Sequence, residues 1–318
     1  MADVRQQQLT KRAKRGARIT GVNTMATTRS WKKHAMLLAF VFPALLFYIA
    51  FTLAPAFGGI AYSLTDWNGL NPAYRMVGLA NYIEAMNDRF FVKSLAFTAK
   101  FVLYMLVLQN ALAILLAVLV EAMGRSKVWF RTIFFMPNML SLIIGGFMWM
   151  FIFTRVFPYL ADQTGWRLLD QSWIGDPRYS FFAILALSLW GGVGYLMVIY
   201  IAALQGVPQH LKEAAAMDGA GPLAIFRHVT LPMIYPALTI GVFLTLNASF
   251  KAFDAVYSLT GGGPGRATQV IALNIFEEAF SFSNRYGYAS AKAMILFGIV
   301  VVITIIQLAI MKRREVQA

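Results

Sequence analysis

Six stretches of predominantly apolar residues, near 35–64, 93–121, 128–153, 181–205, 233–257 and 289–311, constrain this chain more than anything else in it. Crossing a bilayer takes roughly 20 apolar residues, and within the hydrocarbon every backbone amide and carbonyl must be paired inside the protein. Each stretch is long enough for one helical crossing. The expected fold is therefore all-α: a polytopic membrane protein with six transmembrane helices. The composition agrees, with 59% hydrophobic and 13% charged residues against about 25% charged in a soluble chain. The first stretch exceeds the apolar region of a secretory signal, about 7–15 residues, and no small-x-small cleavage site follows promptly. It is read as a retained helix.

Basic residues set the orientation. With the N-terminus inside, cytoplasmic segments carry 17 Lys and Arg: nine in the tail, then Arg125, Lys127 and Arg131, then Lys212 and Arg227, then Lys312, Arg313 and Arg314. Outer segments carry nine: Arg75, Arg89, Lys93, Arg155, Arg167, Arg178, Arg266, Arg285 and Lys292. This excess places both termini in the cytoplasm. The division is a basic cytoplasmic tail over 1–34, loosely ordered to Ser30, a transmembrane domain over 35–311 and a short cytoplasmic tail over 312–318. The net charge of +14 is concentrated in the first tail, where it suits an anionic inner leaflet rather than nucleic acid. The chain has no Cys, which excludes a disulfide framework and thiolate chemistry. Its three His are scattered. The outer loops are rich in aromatics, and Trp67, Trp166 and Trp173 fit a membrane-boundary belt or a docking surface for an outer partner.

Between the fourth and fifth spans, over 206–232, the pattern changes. Pro208 can open a helix because its missing N–H falls where helices leave donors unpaired. Leu211, Ala214, Ala215 and Asp218 recur at helical spacing, and three consecutive Ala keep one face thin. Gly219 suits a left-handed helix stop. Pro222 restarts a helix after Gly221, and Leu231-Pro232 turns the chain back towards the membrane. Two helices this short are unstable alone in water, so they need bracing by the membrane domain, by a partner, or by both. Spacing alone leaves open an ordinary re-entry loop or a docking element.

Glu213-Ala214-Ala215, then Met217-Asp218-Gly219-Ala220, an aromatic at Phe226 and Leu231-Pro232 together resemble the EAA loop of binding-protein-dependent ABC importer permeases. Arg131-Thr-Ile-Phe-Phe-Met-Pro137 and Leu259-Thr-Gly-Gly-Gly-Pro264 resemble the maltose-type sugar permeases, specifically the larger maltose permease partner. The resemblance covers roughly Met36 to Lys312. Having six spans rather than eight, and no large outer insertion, the chain looks more like the shorter sugar and glycerol-phosphate members. The resemblance implies a type I ABC importer permease fold in a bacterial cytoplasmic (inner) membrane. It makes 206–232 the coupling helix seated in an ATPase cleft, with Glu213 meeting an ATPase Arg and Gly219 providing the bend.

Inside the fifth span, Asn247, Phe250, Lys251 and Asp254 fall at i, i+3, i+4 and i+7, one face of a continuous helix. Charges in a membrane segment cost about 2.5–3.5 kcal/mol each on insertion scales and face an interior or a water-filled cavity. Lys251 and Asp254 either pair with each other or line a pathway in which Phe250 stacks on a sugar ring. Asp254 lies near the outer mouth. In the fourth span, Ser188-Leu-Trp-Gly-Gly-Val-Gly194 allows close packing or local unwinding, and the resemblance puts Ser188 and Trp190 near the substrate route. Gln109-Asn110 is a weaker lead, and Gly145-Gly146 reads as packing. Gly261-Gly-Gly-Pro-Gly265 lacks the Lys-Ser/Thr of a Walker loop and reads as a turn cluster.

The function these features imply is a non-catalytic permease subunit that moves a carbohydrate or related polyol inward by alternating access. No cofactor is expected on this chain; ATP and Mg would be bound by the partner ATPase. The implied partners are a second related permease, two ATPase subunits and an extracytoplasmic solute-binding protein. A secondary transporter driven by an ion gradient, with Lys251 and Asp254 relaying protons, is the alternative, and it leaves the cytoplasmic loop without a purpose.

Overall fold

The computed structural model describes residues 25–281 and 284–313 and divides the chain into two compact units, 1–59 and 60–318. Of the two tails, residues 1–24 and 314–318 lie outside the described residues. Helix α1 (Met25–Tyr48) already covers Met25 to Ser30, where a loosely ordered tail was expected. It runs through a wide π turn, Ile49–Leu53, into α2 (Ala54–Ser63). Apolar side chains along this helix lie bare, Phe40 at 86% and Phe51 at 75% exposure, a surface that lipid can cover.

That wide turn has a sequence cause that recurs twice. Proline inside a helix lacks the N–H and pushes its ring against the carbonyl four residues back; a π turn moves that carbonyl out of register. Ile49–Leu53 ends two residues before Pro55, Ile152–Val156 two before Pro158, and Phe226–Thr230 two before Pro232.

The second unit is a helical bundle. Its members are α3 (Ala80–Asn87), α4 (Arg89–Ala122), α5 (Lys127–Phe135), α6 (Leu142–Phe151), α7 (Phe157–Thr164) and α8 (Pro177–Gln205). They are followed by α9 (Gln209–Met217), α10 (Pro222–Ile225), α11 (Leu231–Met233), α12 (Tyr235–Phe250), α13 (Asp254–Leu259), α14 (Ile271–Phe280) and α15 (Tyr286–Lys312). Among the described residues, five helices are long and apolar enough to cross a membrane. The pair Pro222–Met233 and Tyr235–Phe250, bent by 73°, makes a sixth when counted as one broken span, which gives the six that were expected.

The third span ends at Thr164 rather than 153, and two further boundaries differ from expectation. The third span does not start at 128: α5 stops at Phe135, Met136–Met139 tightens into a 3₁₀ turn, and Leu140 and Ser141 are extended before α6 opens at Leu142. Pro137 explains the stop, since it donates no hydrogen bond and its ring crowds the carbonyl four residues back. The fifth span does not reach 257. Helix α12 ends at Phe250, and Lys251, Ala252 and Phe253 intervene before α13.

Close crossings hold the centre. Asn110 of α4 accepts from Tyr200 Oη of α8 at 2.5 Å and donates to Thr245 Oγ1 of α12 at 3.2 Å. A methyl on Gly241 would overlap that Tyr200 hydroxyl, and one on Gly194 would overlap the Phe134 carbonyl. Gly146 leaves no room beneath Ser258 of α13. These glycines are packing sites, as read for Gly145-Gly146.

The two ends of the bundle are held differently. At the end bearing the 206–232 loop, Glu121 of α4 meets Arg131 of α5 at 3.4 Å, Lys127 at 3.6 Å and Gln205 Nε2 of α8 at 2.9 Å. At the opposite end, Lys292 Nζ of α15 is 0% exposed and donates to Asp88 Oδ2 at 2.9 Å, Glu278 Oε2 at 3.1 Å and Asn274 Oδ1 at 3.1 Å. Asp88 caps α4 through the amides of Phe90 and Phe91 with its other oxygen. Arg285 grips Glu84 with two bonds of 2.7 and 2.6 Å. Lys292 and Lys93 therefore sit on helices, not in outer loops: α15 begins at Tyr286 and α4 at Arg89.

Candidate functional site

The break after Phe250 opens a cavity of about 520 Å³. Helix α4 contributes Phe101, Met105 and Gln109, the 137–142 turn contributes Asn138 and Ser141, and α8 contributes Ser188, Gly191, Gly192 and Tyr195. Thr245 and Ser249 of α12, then Lys251, Phe253 and Asp254, complete the wall. Each polar group arrives for a local reason. The 3₁₀ turn at Pro137 and the extended residues after it bring Asn138 and Ser141 to the wall, and Asn138 Nδ2 donates to the Gly191 carbonyl at 3.3 Å. Gly192 lacks the Cβ that would collide with the Gln109 amide. The Ser249 hydroxyl is buried and has no hydrogen-bond partner.

The break separates the residues expected on one helical face. Lys251 and Asp254 both line the cavity and are exposed to it, but Phe250 points the other way, buried with Val102 and Leu246 against α15. Asn247 donates to the Phe243 carbonyl and is absent from the wall. The single stripe is thus corrected: it required a helix continuing past Phe250. The alternative mutual ion pair is not formed either; among the described residues, Lys251 and Asp254 do not bridge. Ser188 lines the cavity, with its hydroxyl donating to the Ile184 carbonyl. Trp190 instead packs edge-on against Trp149, 6.0 Å between centroids, outside the wall. Gln109 belongs to the cavity while its neighbour Asn110 serves the helix crossing. Sequence reasoning missed Asn138, Ser141 and Ser249; Pro137 was the available signal for the first two.

The 206–232 loop forms a two-helix foot. Helix α9 ends with Ala220 N–H on the Ala215 carbonyl and Gly219 N–H on the Ala216 carbonyl, both 3.0 Å. That is a Schellman stop, which needs a left-handed residue, and Gly219 supplies it at φ +82°. Gly221 then caps α10, with Pro222 at its first position. Glu213, Ala214 and Asp218 are exposed, while Ala215, Ala220, Phe226, Leu231 and Pro232 are half-buried. Met217 is 89% and Leu223 79% exposed. The foot is tied directly to α8 on one side and to α11–α12 on the other, and both sides supply cavity wall.

The family described as the binding-protein-dependent transport system inner membrane component matches residues 109–316, a stretch containing the foot and most of the cavity. This chain belongs to that family. The permease is 41% identical over 281 residues to the probable starch degradation products transport system permease protein AmyD of Thermoanaerobacterium thermosulfurigenes, covering 87% of this chain and 94% of that one. It is 34% identical over 277 residues to the multiple sugar-binding transport system permease protein MsmF of Streptococcus mutans, covering 87% and 95%. A solved bacterial ABC transporter involved in the import of alginate superposes with a TM-score of 0.78 at 19% identity, covering 91% of this permease and 99% of that chain. The permease shares the fold of that structure: a type I importer permease, multi-pass and helical.

Proposed function

We propose that this permease is the membrane-spanning subunit of an ATP-driven importer for a carbohydrate or related polyol, working by alternating access. One observation carries the reading: the foot at 206–232 presents bare Met217 and Leu223 to a partner and is joined by residues 206–208 to α8 and by the 73° bend at Ile234 to α12, two helices that wall the cavity. A displacement at the foot therefore reaches the cavity through junctions of only one to three residues. Relatives named for starch products and multiple sugars support the substrate class. The chemistry supports it too, because Gln109, Asn138, Ser141, Ser188 and Ser249 offer a ring of hydrogen-bonding groups suited to hydroxyls. Lys251 and Asp254, each without the other, add a cation and an anion to the outer part of the wall.

The partners in this reading are a second related permease, two ATPase subunits at the foot and a solute-binding protein at the opposite face, in a bacterial inner membrane. This chain performs no catalysis, and ATP and Mg belong to the ATPases. Uptake of labelled maltose, trehalose or raffinose into vesicles holding the whole assembly tests it. The expected result is uptake that needs internal ATP and survives collapse of the ion gradients. Uptake abolished by gradient collapse, with ATP present, would favour the ion-driven alternative. Lys251→Met should change the uptake KM while leaving assembly intact, and unchanged kinetics would remove Lys251 from the route.

A further inference from the structure

Lys292 has no contact with the cavity, and the route proposed above makes no use of it. Yet a fully buried ammonium is costly unless oxygens surround it, and here three residues from two elements contribute them: Asp88 before α4, and Asn274 and Glu278 on α14. The ring of Tyr288 lies 4.3 Å from the ammonium, and its hydroxyl donates to Asp88 at 3.3 Å. Helix α14 is fixed again at its start, where Ile271 N–H donates to Thr98 Oγ1 of α4 at 2.9 Å.

Helix α14 also supports the cavity. Its Phe276 ring packs on Phe253 at 5.1 Å and on Tyr257 at 6.2 Å, and Val270 and Leu273 join Ala255, Val256 and Leu259 in one core. Helix α13 needs that support. It follows a three-residue break spanned by local backbone bonds, carries no side-chain cap and spans six residues. Lateral packing holds it from α6 at Gly146 on one side and from α14 on the other.

We propose that Lys292 is a positioning residue for the cavity: by locking α14 to α15 and to the start of α4, it fixes where α13 holds Phe253 and Asp254 in the wall. The contact path runs Lys292, Glu278 and Asn274, Phe276, then Phe253. The proposal rests on the reading of the cavity as the substrate route, and its test separates the two.

The chain has no native Cys, so spin labels on Ile240→Cys and Ser281→Cys report the place of α14 relative to α12. In the complete transporter in vesicles, Lys292→Met should broaden that distance distribution. It should also raise the uptake KM at least fivefold with the maximal rate kept within twofold, for whichever of maltose, trehalose and raffinose the wild type transports fastest. Phe276→Ala should raise KM while leaving the label distance sharp, because it cuts the path beyond the lock. An unchanged distance in Lys292→Met, or an unchanged KM in Phe276→Ala, overturns the proposal. Should Lys292→Met fail to assemble, Phe276→Ala decides alone. A wild type that moves none of the three sugars counts against the substrate reading, and the label distances still judge the lock.

Discussion

The foot at 206–232 and the ion cluster around Lys292 lie at opposite ends of the bundle and are built on opposite plans. The foot takes its shape from its own backbone: one left-handed glycine, one proline restart, and hydrogen bonds between residues no more than five apart. The cluster joins residues about 200 positions apart, Asp88 and Glu84 to Lys292 and Arg285, through side chains. A locally encoded element, braced where Ala215, Phe226, Leu231 and Pro232 are half-buried, can be altered without unfolding what it is attached to. A cluster of distant charges cannot be touched without cost to the fold. In this molecule the contact surface is local and the framework is long-range.

The contrast breaks most severely if charges at the cluster prove dispensable. Asp88→Ala removes a carboxylate from a buried ammonium, a change that costs about 3–5 kcal/mol when a buried pair is broken, and it also removes the α4 cap, worth about 1 kcal/mol. The largest fall in detergent melting temperature of this set is expected there, and a melting temperature within a degree of wild type would contradict the account. Gly241→Ala comes next. Its methyl meets the Tyr200 hydroxyl in the helix crossing, and overpacking of this kind costs about 1–3 kcal/mol, again read by thermal unfolding. Gly219→Val should strain the foot by about 1–2 kcal/mol with little change in melting, because a Cβ there meets nothing. Its signature is lost co-purification of the ATPase, and normal capture would sink the assignment of the foot. The smallest effect belongs to Glu84→Gln. That pair with Arg285 is half-exposed, and such bridges are worth about 0–1 kcal/mol.

Acid sharpens the last case. The hydrogen bond from Arg285 holds the Glu84 carboxyl below its usual value against the opposing effect of burial. At Asp88, burial pushes the carboxyl up, but the Lys292 bond and charge and the Phe90 and Phe91 amides outweigh it and keep it low. A depressed carboxyl contributes stability above its unfolded value near 4 and loses it as pH falls through the lower folded value. Unfolding measured between pH 6 and 8 should therefore show no change from either group, with loss beginning below about pH 4.

What could be read in the chain follows the same division. The spans were legible because apolar length is a local property, and the foot because Gly219, Pro222 and Pro232 are local punctuation. The break at Lys251 was not, since Lys251-Ala252-Phe253 contains no Gly or Pro. It is closed by a tight turn of ordinary residues, with Phe253 N–H turning back to the Lys251 carbonyl at 2.8 Å. Without the break, Phe250 and Asn247 were placed on the same face as Lys251 and Asp254. Pro137 did announce the interruption of the third span, yet it was read as part of a helix start. Lys292 was counted as a loop charge because its partners, Asp88 and Glu278, are distant in sequence and nothing in the local pattern joins them.

The crossing at Gly241 has a consequence for how the bundle can rearrange. Helix α12 meets Tyr200 of α8 there with no clearance for a single carbon, while Asn110 of α4 is bonded to both Tyr200 and Thr245. Sliding α12 along its axis would drive the next side chain into that hydroxyl and break the Asn110–Thr245 bond. Pivoting about the point does neither. The glycine is a fulcrum, and leverage between the foot below it and the opening above it is set by the few helical turns on either side.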